Sequence, residues 1–104
     1  MDRMIETTTA PSSLQRVAAG DAEAVRDVLD RYADLVWSLA RRFTRNEAEA
    51  EDAVQEVFLL LWRKADRFDP DRGAEVTFVS VLTRRVLIDR WRRASRGPAT
   101  RNDP

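Results

Sequence analysis

The stretch that decides the fold of this chain is Glu51-Asp52-Ala53-Val54-Gln55-Glu56-Val57-Phe58-Leu59-Leu60-Leu61-Trp62. Its apolar residues recur at steps of three and four, which predicts an α-helix. The helix is acidic at its start and apolar on nearly every side at its end, so one stripe can enter a core while other apolar residues stay outside it. Because small domains seldom leave such a face uncovered, we expect this helix to bind a partner.

This helix is predicted to begin after Asn46, which is a good N-cap residue, and to run to about Arg67. Glu47 and Glu49 lie in its first turn, where negative charge suits the helix dipole. The predicted core stripe consists of Ala50, Ala53, Val54, Val57, Phe58, Leu61 and Ala65. The apolar residues that are surplus to this stripe, and are therefore candidates for an exposed surface, are Leu59, Leu60 and Trp62.

Two further long helices and a short one complete the predicted fold. The short helix ends at Gly20, and Asp21 caps a helix of about six turns. The apolar stripe of that long helix is Val25, Val28, Leu29, Tyr32, Leu35, Val36, Leu39 and Phe43. Thr77 is predicted to cap the last helix, from Phe78 to about Ser95, which Gly97-Pro98 would end. With no strand pattern and no repeat, the sequence predicts an all-α, compact bundle of three main helices plus a short N-terminal helix.

The length of 104 residues allows one modest core, so one domain is expected. Residues 1–13 are polar and without periodicity, which predicts a disordered lead-in. Residues 14–96 would form the helical domain, and residues 97–104 have the composition of a linker.

The composition argues against catalysis. The chain has no cysteine and no histidine, which removes thiol nucleophiles, imidazole bases and most zinc sites. Asp69, Asp71 and Glu75 are too few and wrongly spaced for a calcium loop, so we expect neither metal nor cofactor. No apolar run approaches the length of a bilayer span and no signal peptide is evident, which predicts a cytoplasmic protein that is not an enzyme.

The charges are segregated along the chain, although the formal net charge is zero. Residues 47–56 contain five carboxylates and no basic residue, whereas residues 84–96 contain six arginines and one aspartate. This polarity indicates one surface for a protein and another for nucleic acid. Trp91 next to Arg92 and Arg93 favours a DNA surface over a merely solvated helix face.

Three features in order resemble the second conserved region of a bacterial sigma factor of the extracytoplasmic-function class. They are the acidic helix Glu51–Phe58, its ending Trp62–Asp69, and the arginine-dense helix Arg84–Arg93. The resemblance spans about residues 21–94 and implies that the acidic helix docks on the clamp helices of the largest RNA polymerase subunit. The residues that it implies as core-polymerase contacts are Asp52, Gln55, Glu56, Phe58, Leu59 and Trp62. Periodicity alone favours Phe58 as a core residue, and it also allows the carboxylates to be a solvated face.

The resemblance also implies that the loop Phe68–Thr77 and the last helix recognise the promoter's minus-ten element and hold its non-template strand open. The implied DNA-binding residues are Phe68, Asp69, Arg72, Gly73, Thr77, Phe78, Arg84, Arg85, Arg92 and Arg93, with Arg90 and Arg96 as further candidates. Many family members have an aromatic residue where this chain has Glu75, and an asparagine where it has Arg85. A second domain of the family is absent from this sequence, so we expect an isolated domain or a piece of a longer chain, and an anti-sigma factor is an expected regulator.

A different hypothesis is a helical interaction or dimerisation domain without direct DNA binding. In that case Leu59, Leu60 and Trp62 would form the interface, and the arginines of the last helix would only solvate it.

Overall fold

A computed structural model describes the backbone of residues 10–102 and the side chains of residues 10–95. The helices in this part are α1, Ser13–Ala18; α2, Ala22–Phe43; α3, Glu47–Lys64; and α4, Glu75–Asn102. A 3-10 turn, Ala65–Arg67, follows α3 directly. No described residue lies in a strand, which confirms the predicted all-α bundle of three long helices and a short one. None of these helices has the length and apolar character needed to cross a membrane.

The core lies between α2, α3 and α4, and Leu14 of α1 packs against it. Every residue of the predicted α3 stripe is buried. The other two long helices contribute Val28, Tyr32, Val36, Leu39, Ala40, Val79, Leu82, Val86 and Leu87. The predicted α2 stripe is wrong at Leu29, which is exposed. Apolar residues at i, i+3 and i+4 thus located the buried faces, and the error lies at the edge of a stripe.

Helices α2 and α3 begin at the predicted caps. The Asp21 carboxylate accepts a hydrogen bond from the Glu23 N–H at 3.0 Å. The Asn46 side chain accepts one from the Glu49 N–H at 2.9 Å. These side chains satisfy backbone donors that have no partner within the helix, so both predicted N-caps are confirmed.

Helix α1 is capped at its start by Ser12. The Ser12 hydroxyl accepts from the Gln15 N–H at 3.1 Å, and the Gln15 side chain accepts from the Ser12 N–H at 2.8 Å. Ser13, the first residue of the helix, is buried. The predicted disordered lead-in therefore does not extend to residue 13, and its residues 1–9 lie outside the described residues.

The end of α1 turns on Gly20, whose φ of 93° suits glycine. The Gly20 N–H donates to the Val17 carbonyl and the Asp21 N–H donates to the Arg16 carbonyl, each at 3.0 Å, which forms a Schellman motif. The Arg16 guanidinium then pairs with Asp21 at 3.0 Å and with Asp27 at 2.9 Å. These contacts fix α1 to the first two turns of α2.

Helix α4 begins at Glu75, three residues before the predicted start. The Glu75 carboxylate accepts from the Ser13 hydroxyl at 2.8 Å, from the Leu14 N–H at 2.6 Å and from the Tyr32 hydroxyl at 2.5 Å. Thr77 lies inside the first turn, where its N–H donates to the Ala74 carbonyl at 3.1 Å. The predicted cap at Thr77 is therefore wrong, because bonds from α1 and α2 fix the chain at Glu75.

The far end of α4 also differs from the prediction. The helix continues to Asn102, past Gly97-Pro98. The prediction that Gly97-Pro98 ends the helix followed from the low helix propensity of glycine and proline, and it is wrong.

The hydrogen bonds to Glu75 set its charge state. Burial raises the pKa of Glu75, but the bonds from Tyr32, the Leu14 N–H and Ser13 outweigh burial and bring the pKa below its usual value. Burial and the adjacent carboxylate raise the pKa of Tyr32. At neutral pH the pair is therefore an ionised carboxylate that accepts from a neutral phenol.

We expect Glu75→Ala to lower the free energy of unfolding at pH 7 by about 2–4 kcal/mol, because donors on α1 and α2 lose their charged acceptor. The pKa of Glu75 is depressed in the folded state, so its contribution is present above the ordinary value of about 4.3 and is lost as pH falls through the folded pKa. Urea unfolding at pH 7 and pH 3 would measure the difference. Glu51→Ala, at an exposed position, is the control, and an equal loss at both pH values would contradict the electrostatic explanation.

Candidate protein and nucleic-acid interfaces

One side of α3 faces solvent and carries the predicted polymerase-binding residues. Asp52, Gln55 and Leu59 are exposed and recur at steps of three and four, so they share one face of the helix. Leu59 is 60% exposed although it is a large aliphatic residue. We call these three residues the α3 outer face, which offers an apolar group beside a carboxylate and an amide.

The two aromatic residues predicted for this interface are less exposed than the α3 outer face. Phe58 is only 6% exposed and belongs to the core. Trp62 is partly buried, and its ring lies 5.8 Å from that of Phe58, centroid to centroid. The structure therefore does not place Phe58 where a partner could contact it, because Phe58 belongs to the core stripe of α3.

Glu56 differs from its neighbours on α3 because it already has a partner. Its carboxylate accepts from the Arg90 guanidinium at 2.7 Å, which joins α3 to α4. The Arg90 side chain is 27% exposed and that of Glu56 is 42% exposed. The structure thus joins Glu56, a predicted polymerase contact, and Arg90, a further DNA-binding candidate, in an ion pair between α3 and α4.

The loop before α4 comprises residues 68–74, shorter than the predicted Phe68–Thr77. The Asp69 carboxylate accepts from the Asp71 N–H, and the Asp69 carbonyl accepts from the Arg72 N–H, each at 2.9 Å. This is a β-turn with Pro70 at its second position. Gly73 follows at a φ of 156°, a backbone angle that residues with a side chain rarely adopt. The turn leaves the Arg72 side chain exposed and 4.0 Å from the Asp69 carboxylate.

The aromatic residue that begins this loop packs on one in the first turn of α4. The Phe68 and Phe78 rings meet edge to face with their centroids 5.5 Å apart. Phe68 is 8% exposed and belongs to the core, and Phe78 is partly buried against it. The structure therefore does not present Phe68 to a base, since its ring closes the loop onto the bundle.

The outer side of α4 is basic. Arg84, Arg85, Trp91 and Arg92 are all exposed, and Trp91 is 57% exposed. Within the described side chains, none of these arginines pairs with a carboxylate. We call these four residues the α4 arginine face. Unpaired guanidinium groups around an open indole can bind phosphates and stack on bases.

Arg93 lies on a different side of α4 and lines a groove that the sequence did not predict. Residues 42–45, which end α2 and lead into α3, form one wall of this groove, while Ile88 and residues 90–95 of α4 form the other. Its volume is about 1050 Å³. Arg42 and Arg45 stand at least 30 residues before α4 in the sequence, so no local pattern connects them with it. We call this feature the arginine groove. The side chain of Arg96 lies outside the described residues.

Comparison with known proteins places this arrangement in a family. Residues 28–97 match the family model for sigma-70 region 2, which is more than half of the chain. The chain belongs to the sigma-70 region 2 family. The family that was predicted from the order of acidic helix, loop and arginine-rich helix is therefore confirmed.

Several curated relatives of this sigma region 2 domain share the name ECF RNA polymerase sigma factor SigK. The protein of that name from Mycobacterium sp. (strain KMS) is 30% identical over 86 residues, which cover 83% of this chain and 45% of the relative. That from Mycolicibacterium vanbaalenii is 33% identical over 86 residues, covering 83% and 44%. These relatives support the extracytoplasmic-function class. The chain spans less than half the length of the curated relatives it matches, and no solved structure matches it.

The ion pair between α3 and α4 makes a testable contribution to the stability of this sigma region 2 domain. In a double-mutant cycle of Glu56→Ala and Arg90→Ala, we expect a coupling energy of about 0.5–1 kcal/mol in urea unfolding at low salt, because the pair is only partly exposed. The coupling should shrink in 1 M salt. The matched cycle with Asp52→Ala and Arg90→Ala should show none, and a coupling of equal size there would contradict the assignment.

Proposed function

We propose that this domain captures core RNA polymerase through the α3 outer face and engages promoter DNA through the 68–74 loop and the α4 arginine face. As a sigma factor domain it serves transcription initiation. The finer proposal is that it recognises the minus-ten element and melts it. The observation that carries the proposal is that two chemically opposite exposed surfaces, on α3 and α4, are built on one core.

The α3 outer face suits the clamp helices of the largest polymerase subunit. Leu59 can enter an apolar pocket on the partner, and a residue of that kind, ringed by polar groups, is typical of a binding hot spot. Asp52 can pair with basic residues of the partner, and Gln55 can donate and accept hydrogen bonds there. Trp62 supports the face from the side through its contact with Phe58.

Engagement of DNA would be a binding process without catalysis or cofactor. The α4 arginine face holds phosphates of the opened strand, and the exposed turn Asp69–Gly73 gives backbone groups to unstacked bases. Each base that stacks on a side chain such as Trp91 contributes about 1–3 kcal/mol toward keeping the strands apart. Phe68, Phe78 and Thr77 act by shaping the loop and the first turn of α4.

The same surfaces are the natural target of an anti-sigma factor, which would block polymerase and DNA together. The hypothesis of a dimerisation domain is not favoured. Leu60 and Trp62 are partly buried against the core, which leaves Leu59 as the one strongly exposed apolar residue among those three. A single leucine gives too little apolar area for a stable dimer.

Capture of polymerase is tested with an immobilised domain and purified core enzyme. We expect Asp52→Ala plus Gln55→Ala to lower retention of core at least tenfold, because both polar groups lie on the α3 outer face. Glu56 is left intact since its loss would also break the pair with Arg90. The control is Arg26→Ala plus Arg31→Ala, two exposed positions on α2. Unchanged retention by the α3 variant, or no retention by the folded wild type, would contradict this half of the proposal.

Binding of the opened strand is tested by fluorescence anisotropy with a single-stranded minus-ten oligonucleotide. Arg84→Ala plus Arg85→Ala should weaken binding and lower the slope of log K against log salt by about 1.4, because two phosphate contacts are lost from a single strand. Core capture should stay at the wild-type level. If the variant binds the oligonucleotide with an unchanged salt slope, Arg84 and Arg85 do not contact the phosphates of the strand.

A further inference from the structure

We propose that the docking of α1 on Glu75 sets the residue at which α4 begins, and so sets the length of the loop that precedes α4. Ser13 and Leu14 of α1 are in this way positioning residues for the 68–74 loop. This inference rests on the proposed function where it concerns DNA, because it assumes that the loop binds unstacked bases. Helix α1, Ser13–Ala18, lies outside residues 28–97, the part of the chain that matches the family model.

Helix α1 contacts the chain on both sides of the loop. Before the loop, it packs against the 3-10 turn Ala65–Arg67. After the loop, the Ser13 hydroxyl and the Leu14 N–H donate to the Glu75 carboxylate at 2.8 and 2.6 Å. The Leu14 side chain is fully buried in the core, which holds α1 in place. One short helix therefore fixes both of the segments that the loop connects.

Few contacts hold the loop between these two segments. Residues 69–73 are exposed, and their described hydrogen bonds lie within the turn itself. Phe68, the first residue of the loop, is held by its ring contact with Phe78. A segment with so few contacts has low local stability, so its shape depends on where its two ends are fixed.

The local sequence favours a later start for α4 than the one observed. Thr77 is a good N-cap residue, and with it the helix would begin at Phe78. The observed helix begins at Glu75, so the residue at its N-cap position is Ala74, whose side chain cannot accept a hydrogen bond. Burial of apolar surface does not explain the additional residues, since Val76 is 48% exposed. The earlier start is therefore selected by the hydrogen bonds that the Glu75 carboxylate accepts.

These two starts give loops of different length. With α1 docked, α4 begins at Glu75 and the loop consists of residues 68–74. Without α1, two of the three hydrogen bonds described for the Glu75 carboxylate are lost, the start moves to Phe78 and the loop becomes longer. A longer loop populates more conformations, and its apparent affinity for bases falls in proportion to the fraction that remains competent to bind. The docked α1 therefore keeps the loop in its binding conformation.

The start of α4 is tested by hydrogen exchange of the Phe78 amide, which bonds to the Ala74 carbonyl at 3.2 Å in the observed helix. Glu75→Ala removes the acceptor, and Leu14→Ala removes the buried anchor of α1. Each should speed exchange at Phe78 by about tenfold or more, because a hydrogen bond to a charged group contributes roughly the free energy of one factor of ten. Glu75→Gln, which keeps one acceptor oxygen, should give an intermediate rate, and it carries the test if Glu75→Ala does not fold. Val36→Ala, at a buried position of α2, is the matched control, because it lowers global stability and should leave local exchange at Phe78 unchanged.

A second measurement distinguishes a shifted start from a simple loss of stability. In the wild type Thr77 lies inside the first turn of α4, so Thr77→Ala should leave the urea midpoint unchanged or raise it slightly, since alanine has the higher helix propensity. In the Glu75→Ala background Thr77 becomes the N-cap, so the same substitution should lower the midpoint. A merely structural role of Glu75 predicts the same effect of Thr77→Ala in both backgrounds.

The effect on DNA is measured by fluorescence anisotropy with the single-stranded minus-ten oligonucleotide and with the same strand lacking its bases at the minus-ten positions. Wild type should bind the intact strand more tightly, and the ratio of the two affinities measures the contribution of the bases. Glu75→Ala and Leu14→Ala should abolish most of that difference and leave the affinity for the abasic strand and its salt slope unchanged, because the α4 arginine face still contacts the phosphates. Val36→Ala should keep the wild-type ratio.

Unchanged exchange at Phe78 in both Glu75→Ala and Leu14→Ala, or an equal effect of Thr77→Ala in both backgrounds, would overturn the inference whatever the DNA result. Faster exchange at Phe78 with an unchanged contribution of the bases would mean that α1 sets the start of α4 without positioning the loop for bases, which overturns the link to DNA. If wild type itself gains nothing from the bases, the proposed role of the loop in DNA binding fails, and the exchange and urea results still decide whether α1 sets the start of α4.

Discussion

The carboxylate of Glu75 is the contact on which the geometry of this domain depends most. It accepts hydrogen bonds from a side chain and a backbone N–H on α1 and from the Tyr32 hydroxyl on α2, while it belongs to the first residue of α4. A partly buried carboxylate is stable only when such donors replace water. One charged group therefore fixes the position of α4 relative to α1 and α2, which lie far earlier in the sequence.

This anchor also determines what the loop and α4 can present. With α4 held at Glu75 and the 3-10 turn ending at Arg67, only seven residues join them. The edge-to-face contact of Phe68 and Phe78 holds the first of these residues against the first turn of α4. The ion pair between Glu56 and Arg90 fixes α4 a second time, four turns further on. Two fixed points define the rotation of a helix about its axis, and so the arginines between and beyond them face solvent in a set direction.

Local periodicity predicted most of the fold, and non-local contacts account for what it missed. Asn46 and the α3 stripe were predictable because each depends on residues within four positions in the chain. The start of α4 was not, because the donors to Glu75 lie 43 and more residues earlier. For the same reason the sequence could not indicate that Glu56 pairs with Arg90 or that Arg42 borders α4. The composition indicated the basic segment of α4. The packing of α4 against α3 determines which of its arginines lack a carboxylate partner among the described side chains.

The net charge of zero therefore hides two groups of charged residues, those that are paired within the fold and those that are not. Pairs such as Glu56 with Arg90 and Arg16 with Asp21 neutralise charge within the fold. Among the described side chains, the unpaired charges are Glu51 and Asp52 near the start of α3, Arg63 and Lys64 at its end, and mainly arginines on α4. At physiological ionic strength the Debye length is about 8 Å, which is shorter than the separation of exposed faces on opposite sides of a helical bundle. In the proposed function, each partner consequently meets the local field of one face and is little affected by the other. In the proposed function, the α3 outer face with Asp52 and the basic α4 arginine face therefore serve different macromolecules without their fields cancelling.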